Sequence, residues 1–155
     1  MIAPLVETWQ ISNRVTLFLL DQVSDEQLEI PLEKGKGLRA QFAHLVNVRR
    51  MWLKMYGRAL LDSEEKSDRF KATQAELRRD LESTGEAIAR MIGSCEAPDS
   101  KIKGCRLHVT ATLGSFLAHE GYHRGQIELA LRMAGQELPD QTQIELWEWW
   151  RHKGD

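Results

Sequence analysis

Cysteine and proline are both scarce in this 155-residue chain, which has two of the first and four of the second. Two thiols cannot form the multi-bridge framework on which small secreted domains depend. Cys95 and Cys105 lie in a stretch that reads as loop, and they are expected to stay reduced. Their spacing is not that of a zinc knuckle, and Cys105 with His108 would supply only half a metal site. The prolines, Pro4, Pro31, Pro98 and Pro139, leave long stretches free of helix breakers between them. Charge of one sign is not in excess either: Lys+Arg is 21, Asp+Glu is 23 and the net charge is -2. That balance argues against a nucleic-acid binder built on many phosphate contacts. A long apolar run is also missing. Val15 to Leu20 is interrupted by Thr16 and bounded by Arg14 and Asp21, too short to span a bilayer. The start of the chain has no basic region and no small-residue cleavage site, so a cytoplasmic protein is expected, with no membrane partner. Sustained period-2 alternation, internal repeats and low-complexity segments are absent, which leaves an all-α reading.

What the chain does have is the composition of a soluble globular protein, 42% hydrophobic and 28% charged. The length suits one domain, residues 1–155, with a core that needs no staples. Helical periodicity predicts a first helix over about Pro4 to Gln22, with Leu5, Trp9, Ser12, Thr16, Leu19 and Leu20 on one face. Ser24 and Gln27 have the spacing of a capping box before Pro31. A second helix is expected over Leu38 to Arg58, its stripe being Leu38, Phe42, Leu45, Arg49, Trp52, Leu53 and Tyr56. A third should begin near Ser67 or Asp68 and end near Gly93, with Phe70, Leu77, Leu81 and Ile88 on its face. A fourth should run from His108 to Met133, closed by Gly135. A short Trp-rich helix over about Thr142 to His152 completes what reads as a four-helix bundle with a C-terminal addition.

Of five histidines, His119 and His123 are four apart inside the fourth helix. Four residues return to within about 40° of the starting direction, so the two imidazoles point the same way. Such a pair can grip one transition metal, although i,i+4 pairs also occur on ordinary helix surfaces. His44 lies among apolar neighbours in the second helix and is either a satisfied core residue or a third ligand. If the second and fourth helices face each other, three imidazoles converge. His108 lies about 16 Å along the axis from His119 and cannot share its metal. His152, near the chain end, is also read as a non-ligand.

Residues 119 to 123 also spell H-E-x-x-H, the pattern of zinc peptidases in which Glu120 would be the general base. The extended form of that motif wants glycine at 126 and histidine at 129, where this chain has Gln126 and Leu129. Glu145 is the available third ligand in that reading, but it belongs to the Trp-rich tail.

The string His119-Glu-Gly-Tyr-His123-Arg124-Gly125-Gln126 resembles the histidine motif of the DinB/YfiT-like superfamily. Gln41-Phe42-Ala43-His44-Leu45-Val46 followed by Trp52-Leu53 resembles that family's first motif, and Ala134-Gly135, Leu138-Pro139 and Leu146-Trp147 fit its C-terminal part. The resemblance implies a four-helix bundle holding one divalent metal, nickel or zinc, through His44, His119 and His123. It also implies a homodimer. Some relatives are transferases or isomerases that use low-molecular-weight thiols such as glutathione, mycothiol or bacillithiol. A metal-dependent S-transferase or hydrolase is therefore expected, with a non-catalytic metal-binding stress-response or ligand-binding dimer as the alternative.

Roles around the metal are also open. Glu120 points about 100° away from His119, so it is a cleft residue or half of an ion pair. Arg124 either receives an anionic substrate group or pairs with Glu120 at i,i+4. Gly121 and Gly125 suggest close approach of another helix or subunit. Trp147, Trp149 and Trp150 could line a pocket or pin the terminal helix, and Tyr56 and Tyr122 are candidate hydroxyl donors.

Overall fold

Each apolar stripe becomes a helix. A computed structural model describes residues 1–154, and among these there is no strand. Five helices follow one another: α1 (Ala3–Asp21), α2 (Leu38–Tyr56), α3 (Gln74–Gly93), α4 (Val109–Met133) and α5 (Asp140–Trp147). Single 3-10 turns occur at Gln27–Glu29, Arg58–Leu60 and Trp149–His152. No helix among the described residues is long and apolar enough to cross a membrane.

The ends follow local chemistry. The Ser24 and Gln27 side chains bond each other's backbone N–H at 3.1 and 3.0 Å, the reciprocal box expected from the sequence. His108 caps α4, its Nδ1 accepting from the Ala111 N–H at 3.2 Å, which accounts for this histidine without a metal. Gly135, at φ 72, closes α4 while the Gln136 and Gly135 N–H groups bond Leu131 and Arg132 carbonyls. Only glycine takes that left-handed position without strain.

Helix α3 begins later than the sequence suggests, at Gln74 rather than Ser67 or Asp68. Thr73 and Glu76 make a complete capping box there. Asp68 instead spends its carboxylate locally, accepting from the Phe70 and Lys71 N–H groups at 2.7 and 3.1 Å. Phe70, expected on the buried stripe, is therefore in a turn and 70% exposed. The last helix also differs, since α5 starts at Asp140 and the chain bends at Glu148 before the final 3-10 turn.

The four long helices run up, down, down, up. Arg78 of α3 pairs with Asp21 at the end of α1, so those two are antiparallel. Arg39 bonds the carbonyl of Ala72 at one end of α2 while Gly57 meets Met91 at the other, so α2 and α3 are parallel. Trp52 stacks on Phe116 and Gln41 meets His123, so α2 and α4 are antiparallel neighbours. Parallel neighbours require the chain to return along a helix about 28 Å long. Residues 57–73 make that return. Asn47 of α2 holds them by exchanging two bonds with the Ser67 backbone, at 3.1 and 2.8 Å. Arg50 holds them through a bidentate pair with Asp62 and a bond to the Glu65 carbonyl.

The core has two apolar lobes. One gathers Leu19, Leu20, Leu38, Phe42, Leu45, Leu77, Leu81 and Ile127; the other gathers Trp9, Leu53, Ile88, Ile92, Val109 and Phe116. A polar layer divides them. Arg49 is fully buried and donates to Glu120 at 2.7 and 3.1 Å, to Asn13 Oδ1 at 2.8 Å and to the Leu81 carbonyl at 2.9 Å. One guanidinium thus touches all of α1, α3 and α4 from its seat on α2.

Candidate metal centre

Antiparallel packing of α2 on α4 puts His44 opposite the His119–His123 face. One nitrogen from each ring lies within 4.8 Å of the others, and the three form a group that could hold a metal ion. The His44 and His119 Nε2 atoms are 3.4 Å apart. Two ligands on a tetrahedral ion at ordinary zinc–nitrogen length stand about 3.3 Å apart, so the spacing fits a first-row divalent ion. The ring centroids of His123 lie 4.5 Å from both partners. The third member of the group is His44, not Glu145.

The surroundings keep these rings neutral. Burial comes first in lowering all three below the ordinary imidazole value; Lys36 and neighbouring rings add to it at His44 and His123, while at His119 the Glu120 carboxylate opposes it and Arg49 adds to it. His123 is pushed furthest, to about 4, by burial and then by His119, His44 and Lys36. Neutral imidazoles keep the lone pairs that a metal needs.

Gln41, one turn before His44, accepts a 2.6 Å bond from His123 Nδ1 and anchors its own amide on the Lys36 carbonyl. That bond fixes the tautomer, leaving His123 Nε2 free to face the group. His119 is different: its Nδ1 is buried and has no partner among the described residues, so no protein group fixes that tautomer. Aromatic walls orient it instead, with Trp52 edge-on at 5.4 Å.

A family comparison bears directly on this arrangement. The sequence matches the model of the DinB family over residues 2–153. The chain belongs to the DinB family. No curated protein and no solved structure matches it.

In this DinB-family chain the two charged residues of the histidine motif turn away from the metal group. Glu120 is fully buried on the core side, paired with Arg49. Burial alone would raise its carboxyl, but Arg49, with Arg124 and His119, brings it net below the ordinary carboxylate value. Arg124 makes no direct bond to Glu120. Its guanidinium reaches α1, donating to Thr16 Oγ1 at 2.9 Å and Ser12 Oγ at 3.2 Å, and Thr16 in turn stands 3.3 Å from Glu120. The i,i+4 pair expected from sequence is thus bridged by a hydroxyl.

The other candidates divide. Tyr122 packs edge-on against His123 at 5.0 Å and is exposed, whereas Tyr56 packs into the second lobe of the core. Trp149 packs on the first lobe while Trp147 and Trp150 face outward, and none of the three lines the cleft beside His44. His152 is docked rather than loose, bonding the Glu145 carbonyl and packing on Phe18. Gly121 and Gly125 are exposed and meet no other helix of this chain, so of the two approaches expected the helix within the bundle is not the one they serve. The glycine that does permit one is Gly85, where a Cβ would lie 2.3–2.6 Å from the Asn13 amide. Cys95 and Cys105 are free thiols, and burial pushes Cys105 up, keeping it protonated.

The sequence places Arg49 and Gln41 without assigning either a role. Both had a signal: Arg49 is the one charge on the apolar stripe of α2, and Gln41 shares the face of His44 one turn away.

Proposed function

We propose that His44, His119 and His123 hold one divalent ion, nickel or zinc, and that the protein is a metal-dependent enzyme. We read it as a low-molecular-weight-thiol S-transferase or a hydrolase. The observation that carries this is the convergence of three imidazoles from two helices, with two Nε2 atoms 3.4 Å apart. Three neutral ligands leave coordination positions open, unlike the four-ligand sets of structural sites. A divalent ion there supplies Lewis acidity that favours the deprotonated form of a thiol or of water. The chain's own contributions are distinct. Gln41 holds the His123 ring in its tautomer. Trp52 and Phe116 stack at 3.9 Å and shield the His119 side from water. Arg49 and Glu120 fix the height of α2 against α4.

A cleft of about 540 Å³ opens beside His44, which favours a site that admits a small molecule over a sealed binding module. Elemental analysis of untagged protein tests the reading. About one nickel or zinc per chain is expected, falling to background in His44→Ala. Full metal content in that variant would remove the site. Thiol transfer to an electrophilic acceptor, assayed on the loaded protein, then separates transferase from hydrolase.

A further inference from the structure

The cleft beside His44 has α2 as its floor, with Ala40, His44 and Asn47, and walls from two further segments. The loop before α2 contributes Lys36, and the return segment contributes Lys66, Ser67, Arg69 and Phe70. Most arginines near the bundle surface are paired: Arg39 with Glu29, Arg58 with Glu64, Arg78 with Asp21. Lys36, Lys66 and Arg69 have no carboxylate within 4 Å among the described residues. The one acid of the cleft, Asp68, is committed to backbone N–H groups. Ser67, which also lines the cleft, carries an unusual feature. Ser67 is only 8% exposed, and its Oγ is buried with no hydrogen-bond partner among the described residues. A solvated basic surface does not require a buried, unsatisfied hydroxyl among its cations.

We propose that this cleft is a subsite for the anionic oxygens, carboxylate or phosphate, of a small molecule whose other end reaches the three histidines. Lys36 supplies charge from the loop before α2 and Lys66 from the return segment. Arg69, which also lines the cleft, lies over the Phe70 ring at 4.6 Å, a contact that restrains its guanidinium beside that ring. The exposed Phe70 ring offers an apolar surface to the body of the ligand. The wall does not need to form on binding, because Asn47 and Arg50 already pin the return segment to α2. The substrate class that follows is a thiol or ester carrying a negative group a few bonds from its reacting atom. This role rests on the metal-centre proposal above, and the test keeps the two apart.

The experiment follows backbone amide signals of the full, metal-free chain by ¹⁵N NMR during titration with 3-mercaptopropionate, inorganic phosphate and the neutral 2-mercaptoethanol. Cobalt(II)-loaded protein is then titrated with the two thiols and read by its visible absorption. Saturable shifts confined to Lys36 and residues 66–70 are expected with the anions. On cobalt protein, 3-mercaptopropionate should bind about tenfold more tightly than 2-mercaptoethanol, the sum of two modest ion pairs. The anion that saturates at lower concentration identifies carboxylate or phosphate. A combined Lys36→Gln, Lys66→Gln, Arg69→Gln variant should lose that preference while melting normally and still taking up cobalt. Equal binding of the two thiols, or anion shifts unchanged in the variant, overturns the subsite. Anion shifts without cobalt uptake would keep the subsite and remove the metal reading, and the reverse pattern would do the opposite.

Discussion

Replacing Glu120 by leucine should destabilise the bundle more than any change on its surface. Arg49 and Glu120 are both fully buried and meet through two bonds of 2.7 and 3.1 Å. Removing the carboxylate leaves a guanidinium in the core with only Asn13, Thr84 and the Leu81 carbonyl to receive it. Breaking one side of a buried pair costs about 3–5 kcal/mol. For a chain of this size each kcal/mol lowers the midpoint by about 2–4 °C, so Glu120→Leu should melt about 6–20 °C lower. Arg49→Met should cost a similar amount, because Glu120 then keeps only the Thr16 hydroxyl and the more distant Arg124. The double variant removes both charges and should fall short of the sum of the singles by about 2–3 kcal/mol. Urea unfolding of metal-free protein, followed by far-ultraviolet circular dichroism, gives all four corners of the cycle. Additive losses, or a loss below about 1 kcal/mol for Glu120→Leu, would refute the pairing as the reason for this carboxylate. Metal uptake by whatever folded Glu120→Leu remains should weaken as well, since the pair sets the height of α2 against α4 and with it the His44–His119 spacing.

Gln41→Leu keeps all three histidines but frees the His123 tautomer, and should weaken zinc about 10–100-fold in chelator competition. Unaltered affinity would show the 2.6 Å bond to be idle. Acid should weaken the metal-free fold. His123 titrates at about 4 when folded, against an ordinary value of 6.5, and His44 and His119 move in the same direction. Through that window the unfolded chain takes up protons that the folded chain refuses, so stability is highest above about pH 6.5 and falls toward pH 4. A urea midpoint that stays flat between pH 7 and 5 would contradict this. Gly85→Ala would gain about 1 kcal/mol from helix propensity alone. It should instead lose about 1–3 kcal/mol, because the new Cβ displaces the Asn13 amide from Arg49. A raised melting temperature would show that Asn13 yields freely.

Much of this molecule was legible in its residues. Periodicity located α1, α2 and α4 to within two residues, since long proline-free amphipathic stretches leave little choice. The same-sided His119 and His123 followed from helix geometry alone. His44 as their companion depends on which helices are neighbours, which periodicity does not state; the family resemblance of the segment around it is what named it. The start of α3 was misread because Phe70 continues an apolar spacing, while Asp68 quietly diverts the backbone into a turn. The polar layer was hidden for a different reason. Arg49, Thr84 and Glu120 each look like an isolated lapse in an apolar stripe, and only the packed bundle makes one network of them. Gly121 and Gly125 are a further case, because small residues on a helix look the same whichever neighbour needs the room, and within this chain no helix takes it.

Glu120 follows His119 directly in the chain, and that adjacency makes the charged layer a vernier for the imidazoles. Sliding α4 along α2 by one turn, about 5.4 Å, would strand both charges in oil and part His119 from His44 in the same stroke. The two failures cannot be separated. Drift in the surrounding apolar lobes is therefore tolerated only while the guanidinium and carboxylate still find each other, and the ligand spacing is preserved along with them.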